Sequence, residues 1–166
     1  IPILITAVTD PVAAGLVKSM DNPGTNVTGT TDMNPIYEQL ELIKKFVPDA
    51  KKVGIIYNAG EVNSEVQVGV GEEAADKLGL ELVKVTAATT AEVSQAAESL
   101  AGRVDAIYVP TDNTVVAALD SVVKVGEKNK IPVISGEGDS VKNGAMATYG
   151  INYYELGKQT GQMAVK

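Results

Sequence analysis

Short apolar runs alternate along this chain with longer stretches in which apolar residues recur every three or four positions. The runs are Pro2–Val8, Val53–Tyr57, Leu80–Thr86, Ala106–Val109, Pro132–Ser135 and Met146–Ile151, with Val27–Thr30 a weaker one. Several are apolar at successive positions rather than at alternate ones, as in Ala106-Ile107-Tyr108-Val109. A strand built that way is buried on both faces, which is the situation of a parallel sheet covered by helices on each side. The β-α-β-α order with short connections predicts an α/β fold: a doubly wound parallel sheet with right-handed crossovers. One polar, turn-rich stretch, TGTTDMNP at Thr28 to Pro35, interrupts the order and is read as a crossing between two lobes.

The starts of the intervening helices carry recognisable signals. Asp10-Pro11 and Asn34-Pro35 each place a capping side chain before a proline suited to a first helical turn. Ser64 followed by Gln67, Thr89 followed by Glu92 and Asn152 followed by Glu155 have the spacing of capping boxes. Val66, Val70 and Ala74 predict one packed face of a helix; Val115, Val116, Leu119, Val122 and Val123 predict that of another. Gly69 and Gly71 fall inside the first of these, where each costs about 1 kcal/mol relative to alanine unless close packing requires it. Gly79 has the place of a helix-terminating glycine.

Composition narrows what such a fold does. Of the 166 residues, 45% are hydrophobic and 21% charged, within the range of a folded globular chain. The net charge of −7 and the scattered lysines speak against a nucleic-acid partner. There is no cysteine and no histidine, so a Ser-His-Asp triad, a thiol nucleophile and the usual zinc ligands are excluded. Neither GxGxxG after the first strand nor GxxxxGK[ST] is present, which disfavours a nucleotide site. No catalytic residue, metal or cofactor is expected.

In an open parallel sheet, ligands bind beyond the carboxyl ends of the strands. The polar residues after the predicted strands are Thr9 and Asp10, then Asn58, Glu61, Asn63 and Ser64, then Thr111 and Asp112 with Asn113 and Thr114, then Glu137 and Asp139, then Asn152 and Tyr153. Read as the opener of a helix, Ser64 would offer backbone N–H groups to a carboxylate. Any of Glu61, Asp112 and Glu137 could meet an ammonium, so the set suits a small zwitterion. Helix capping is the competing role for each Asn, Asp, Ser and Thr.

The strings VTDPVAAGLV, NPGTNVTGTTDMNP, VGIIYNAGEVNS, DAIYVPTDNTV and IPVISGEGDSVKNGAMATYGINYYELGKQTGQMA, in this order, resemble the substrate-binding proteins of bacterial ABC importers associated with aromatic amino acids. The resemblance implies a two-lobed, type I periplasmic-binding fold with the ligand between lobes, a membrane permease as partner and an extracytoplasmic location. It places residues 1–33 in a partial first lobe, as strand-helix-strand, and 34–166 in the second lobe with a C-terminal helix returning toward the first. Carried onto this chain, the ligand-lining positions are Thr9, Asp10, Asn58, Glu61, Asn63, Ser64, Thr111, Asp112 and Glu137. IPILITAVTDPV and IPVISGEGDSV then read as corresponding strands of two similar lobes, and the start at Ile1 as an interruption of the first. The segment Ile1 to Thr31 would expose strand edges that invite a swapped dimer. A ligand-sensing or interaction domain of the same fold is the alternative, and an enzyme using carboxylates alone a more distant one.

Overall fold

The structure, a computed structural model, describes Ile1–Val165. In chain order its elements are β1 (Ile3–Ile5), β2 (Val27–Gly29), α1 (Ile36–Phe46), β3 (Lys52–Tyr57), α2 (Val62–Leu78), β4 (Glu81–Thr86), α3 (Thr90–Leu100), β5 (Ala106–Val109), α4 (Asn113–Val116), α5 (Leu119–Asn129), β6 (Val133–Glu137), α6 (Gly138–Lys142), β7 (Ala147–Ile151) and α7 (Tyr153–Ala164). They fall into two compact units. One spans Pro35–Gly150; the other joins Ile1–Asn34 to the segment from Ile151 onwards. The C-terminal helix therefore groups with the first segment, and the second unit ends earlier than the expected 34–166.

The larger unit is the predicted α/β layer structure. Its five strands run in the order β4-β3-β5-β6-β7, with the β4·β3, β3·β5 and β5·β6 pairs parallel. The pleat sends alternate side chains of each strand to opposite faces. Ile56, Ile107, Val109 and Val133 point to one side, where they pack with Val93, Ala97 and Leu100 of α3 and with Leu119 and Val122 of α5. On the other side α1 buries Ile36, Leu40 and Ile43, and α2 buries Val68, Ala74 and Ala75. Tyr108 of β5 is fully buried and donates a hydrogen bond to Gln39 Oε1 of α1 at 2.6 Å. Gln39, equally buried, donates from Nε2 to Gly136 O at 3.2 Å and to Tyr149 O at 2.9 Å. One amide thus ties α1 to three strands.

Several local expectations are corrected. The stripe of α2 is Ser64, Gln67, Val68, Gly71, Ala74 and Ala75, whereas Val70 is exposed. Gly69 has no neighbour within 4 Å of where a Cβ would sit, and at Gly71 the nearest atom is 3.7 Å away, so close packing does not explain either. The expected helix through Val115 to Val123 is two helices, α4 and α5, separated at Ala117 and Ala118. Gly79 ends α2 with φ 66°, as its position predicts.

The smaller unit holds the parallel pair β1·β2 and helix α7. β1 is shorter than Pro2–Val8; Ala7 at φ 53° turns the backbone out of the extended region. The helix expected after Asp10-Pro11 is a turn instead. Asp10 Oδ1 accepts from Val12 N and Ala13 N, both at 2.9 Å, but Gly15 at φ 70° stops the chain after that turn. Gly29 permits the approach of β2 to β1, since a Cβ there would lie 1.9 Å from Ile5 O. Thr160 of α7 donates to Leu156 O at 2.9 Å and lies 2.7 Å from Thr30 Oγ1 and 3.0 Å from Thr6 Oγ1. This hydroxyl cluster seats α7 on the strand pair.

Tyr108→Phe removes the donor to Gln39 Oε1 inside a dry core, and is expected to cost about 1–3 kcal/mol. Gly69→Ala, on the open face of α2, is expected to add roughly 0.5–1 kcal/mol. Urea unfolding midpoints of the two variants against the parent check both signs.

Candidate functional site

β3 is the first strand of the larger unit and lies inside its sheet. The chain goes from it through α2 to β4 on one side, then back through α3 to β5 on the other. The strand order reverses between β3 and β5, so their carboxyl ends diverge into the crevice where open α/β sheets hold ligands. The loop after β3 carries Asn58, Glu61, Asn63 and Ser64, and the loop after β5 carries Thr111, Asp112, Asn113 and Thr114. Glu137, at the end of β6, joins them at this edge.

Asp112 is 0% exposed. Its Oδ2 accepts from Asn58 N at 2.6 Å and from Ser64 Oγ at 2.6 Å, and its Oδ1 from Val115 N at 2.8 Å. The last bond caps α4; the other two hold the β3 loop and α2 against it. Asp112 is therefore internal scaffold, and the expectation that it could meet a ligand ammonium is corrected. Ser64 is also 0% exposed. It does not open its helix: α2 begins at Val62 with Glu61 as cap, and Ser64 N already donates to Glu61 O at 3.1 Å. The capping box read between Ser64 and Gln67 is absent for the same reason.

Glu61 is half-buried and saturated with donors. Its Oε1 accepts from Thr114 N at 3.1 Å and Thr114 Oγ1 at 2.8 Å. Its Oε2 accepts from Asn113 N at 3.2 Å, Asn113 Nδ2 at 2.7 Å and, more loosely, Asn63 Nδ2 at 3.5 Å. Desolvation pushes this carboxyl up, but the hydrogen bonds from the side chains of Thr114 and Asn113 and from their backbone N–H groups outweigh it and hold the group below its ordinary 4.5. Glu61 thus clamps the β3 loop to the start of α4 as an ionised carboxylate.

Gln67, fully buried, completes the scaffold. Its Oε1 accepts from Thr111 Oγ1 at 2.8 Å and Thr111 N at 3.1 Å, while its Nε2 donates to Thr111 O at 3.2 Å. Asn63 Nδ2 donates to the same carbonyl at 3.1 Å, and Asn58 Nδ2 to Thr114 Oγ1 at 2.9 Å. Glu137 is half-buried and caps α6, accepting from Asp139 N at 3.0 Å and Ser140 Oγ at 2.5 Å. Gln39 and Gln67 were missed as parts of this edge. The signal was available: Gln67 falls on the buried side of a helix three residues after Ser64.

In the smaller unit Thr9 is buried and donates to Asp32 Oδ1 at 3.1 Å, and Tyr153 OH donates to Asp32 Oδ2 at 3.0 Å. Asp32, also buried, goes unrecognised in the sequence because the stretch Thr28 to Pro35 reads as a crossing between two lobes. Asp10 turns its carboxylate to the backbone of Val12 and Ala13. Among the described residues no group of three or more acidic, His or Cys residues is arranged to hold a metal ion, and no helix is long and apolar enough to cross a membrane.

The profile of the ABC transporter substrate binding protein family matches residues 1–166. A protein of Clostridioides difficile (strain R20291) named tyrosine-binding protein is 50% identical over 166 residues, covering 100% of this chain and 48% of that protein. A conserved domain protein from Vibrio cholerae has a solved structure with TM-score 0.94 and 40% identity, covering 99% of this chain and 56% of the other. The ABC domain of a Streptococcus pneumonia protein, solved in complex with L-Trp, has TM-score 0.93 and 37% identity over the same shares, 99% and 56%. This chain therefore spans about half the length of the relatives it matches.

Asp112→Ala strands three donors and is expected to cost about 2–4 kcal/mol in unfolding free energy. For Glu61 the sign follows from its lowered value. Its ionised form stabilises the fold fully above about pH 4.5, and that contribution is lost as pH falls through the lower folded-state value. Glu61→Gln should be less stable than the parent at pH 7, with the gap closing in strongly acidic buffer; denaturant titrations at both pH values test it.

Proposed function

The chain belongs to the family of ABC transporter substrate-binding proteins, and from that membership we propose that it binds an amino acid with an aromatic side chain and delivers it to a membrane permease on the extracytoplasmic side. The observation that carries this reading is the placement of the Asn58–Ser64 and Thr111–Thr114 loops at the strand-order reversal. The carboxylates of Glu61 and Asp112 are committed to the loops themselves, the other polar side chains are amides and hydroxyls, and neither loop carries an arginine or lysine. Such a rim suits an amine-bearing, compact ligand and offers little to a phosphate. The names of the relatives, one tyrosine-binding and one solved with L-Trp, support the aromatic amino acid.

The rim is built for holding rather than for chemistry. A general base needs a free acceptor within reach of the proton it takes. Glu61 and Asp112 already accept from several neutral donors each, and the sequence has neither histidine nor cysteine. Asn58, Asn63 and Thr111 are the partly exposed positions proposed to face the ligand from this unit; Thr9 and Asp10 are the positions proposed in the smaller one.

Calorimetric titration with tyrosine, tryptophan, phenylalanine, leucine and a purine nucleoside tests the proposal. Binding of at least one aromatic amino acid, weaker binding of leucine and none of the nucleoside are expected, with the recovered amino acid unchanged by mass spectrometry. Tight binding of the nucleoside with no response to any amino acid would overturn it.

A further inference from the structure

Three carboxylates at the carboxyl edge of the larger unit are candidates for the ligand's ammonium, and the hydrogen bonds each already accepts separate them. An ionised carboxylate has about four acceptor positions. Glu61 takes five donors, from Thr114, Asn113 and Asn63, counting the loose bond at 3.5 Å. Asp112 takes three and is 0% exposed. Glu137 takes two, one on each oxygen, and is partly exposed. Further acceptor capacity directed to the surface therefore belongs to Glu137.

Its surroundings fix it in place. It closes β6, whose Ser135 lies opposite Val109 of β5. The backbone of Gly136 comes so close to the β5 loop that a Cβ would sit 3.1 Å from Thr111 N. Gln39 holds the Gly136 carbonyl from within the sheet at 3.2 Å. Ser140, fully buried, and Asp139 N orient the carboxylate itself. The backbone of β6 is thus held against the β5 loop, and the Glu137 carboxylate is held at the start of α6 by Asp139 N and the buried Ser140, which limits the ordering cost of binding. Lys142, one helical turn along α6, is engaged by Asp139 Oδ1 at 2.6 Å.

Resting on the amino-acid reading above, we infer that Glu137 is the specificity-determining carboxylate that receives the ligand's ammonium group, while Glu61 and Asp112 hold the loops around it. Glu137 distinguishes an amino acid from its des-amino acid, since a charge-assisted hydrogen bond forms with one and not with the other.

The test uses the longest form of the protein that the gene encodes. Calorimetry compares L-tyrosine with 3-(4-hydroxyphenyl)propionate, and L-tryptophan with indole-3-propionate, in the parent, in Glu137→Gln and in Ser140→Ala. Glu137→Gln is expected to weaken the amino acids by roughly 10- to 100-fold and the des-amino acids hardly at all. Ser140→Ala, which loosens the cap but keeps the charge, is expected to retain the preference for the amine. Equal weakening of both compounds by Glu137→Gln would show that it acts through the fold of α6 and would overturn the assignment, as would an unchanged preference. If the parent binds none of the amino acids, the functional reading itself fails; if the parent binds and the preference survives in Glu137→Gln, only the role of Glu137 fails.

Discussion

Asp112 accepts hydrogen bonds from the β3 loop, from α2 and from the start of α4, and the carboxyl edge of the larger unit depends on that one buried carboxylate. In a parallel sheet the strands end side by side without hairpins to join them, so the loops at that edge need another tether. At the point where strand order reverses, the helices after β3 and β5 leave in different directions and the need is greatest. Asp112 meets it with bonds of 2.6, 2.6 and 2.8 Å. A hydrophobic side chain at this position would fill the space but leave Asn58 N and Val115 N unpaired.

Two buried glutamines extend the same solution. Gln67 pairs with the backbone of Thr111 through both ends of its amide, as one strand pairs with another. Gln39 does the equivalent for β5, β6 and β7, accepting from Tyr108 and donating to Gly136 and Tyr149. Burial also pushes the Tyr108 phenol up from its ordinary value, in keeping with its role as the proton donor to Gln39. A neutral amide carries no charge to desolvate, which makes it a less costly internal tether than a second carboxylate. Glu61, at the solvent boundary, can be charged because its donors are many and water is near.

The fold class was legible because it rests on periodicity. Ala106–Val109 and Val53–Tyr57 are apolar at successive positions, and that pattern has few alternatives to a covered parallel strand. The position of the loop residues was legible for the same reason: once the strands are placed, the residue after each strand's last apolar position must lie at the carboxyl edge. The roles of those residues were not. Glu61 takes the helix-start position expected of Ser64 because helix starts shift by a few residues without changing the pattern, and the shift converts Ser64 from a surface cap into a buried donor. Likewise the Asp10-Pro11 signal is a sound N-terminus, but whether a turn becomes a helix is decided five residues on, where Gly15 adopts a left-handed conformation. Gln67 is marked only by its place three residues after Ser64, and Gln39 carries no mark at all, because a glutamine on the inner side of a helix breaks the apolar stripe that identifies that side.

These differences share one physical origin, and it bears on how the edge recognises a ligand. A carboxylate seen in a loop sequence is a potential contact; how much of it remains available depends on the donors the fold has already aimed at it. Glu61 and Asp112 show that the carboxyl edge of a sheet can commit charged groups to its own loops. The result is rigidity: Asn58, Asn63 and Thr111 sit on loops cross-tied by at least two hydrogen bonds each, so the ligand proposed here would have little left to order. Glu61 itself is held below its ordinary value by the donors of Asn113 and Thr114, so its charge stays committed to the loop it ties. The shape of the edge is therefore set by these ties before any ligand is considered.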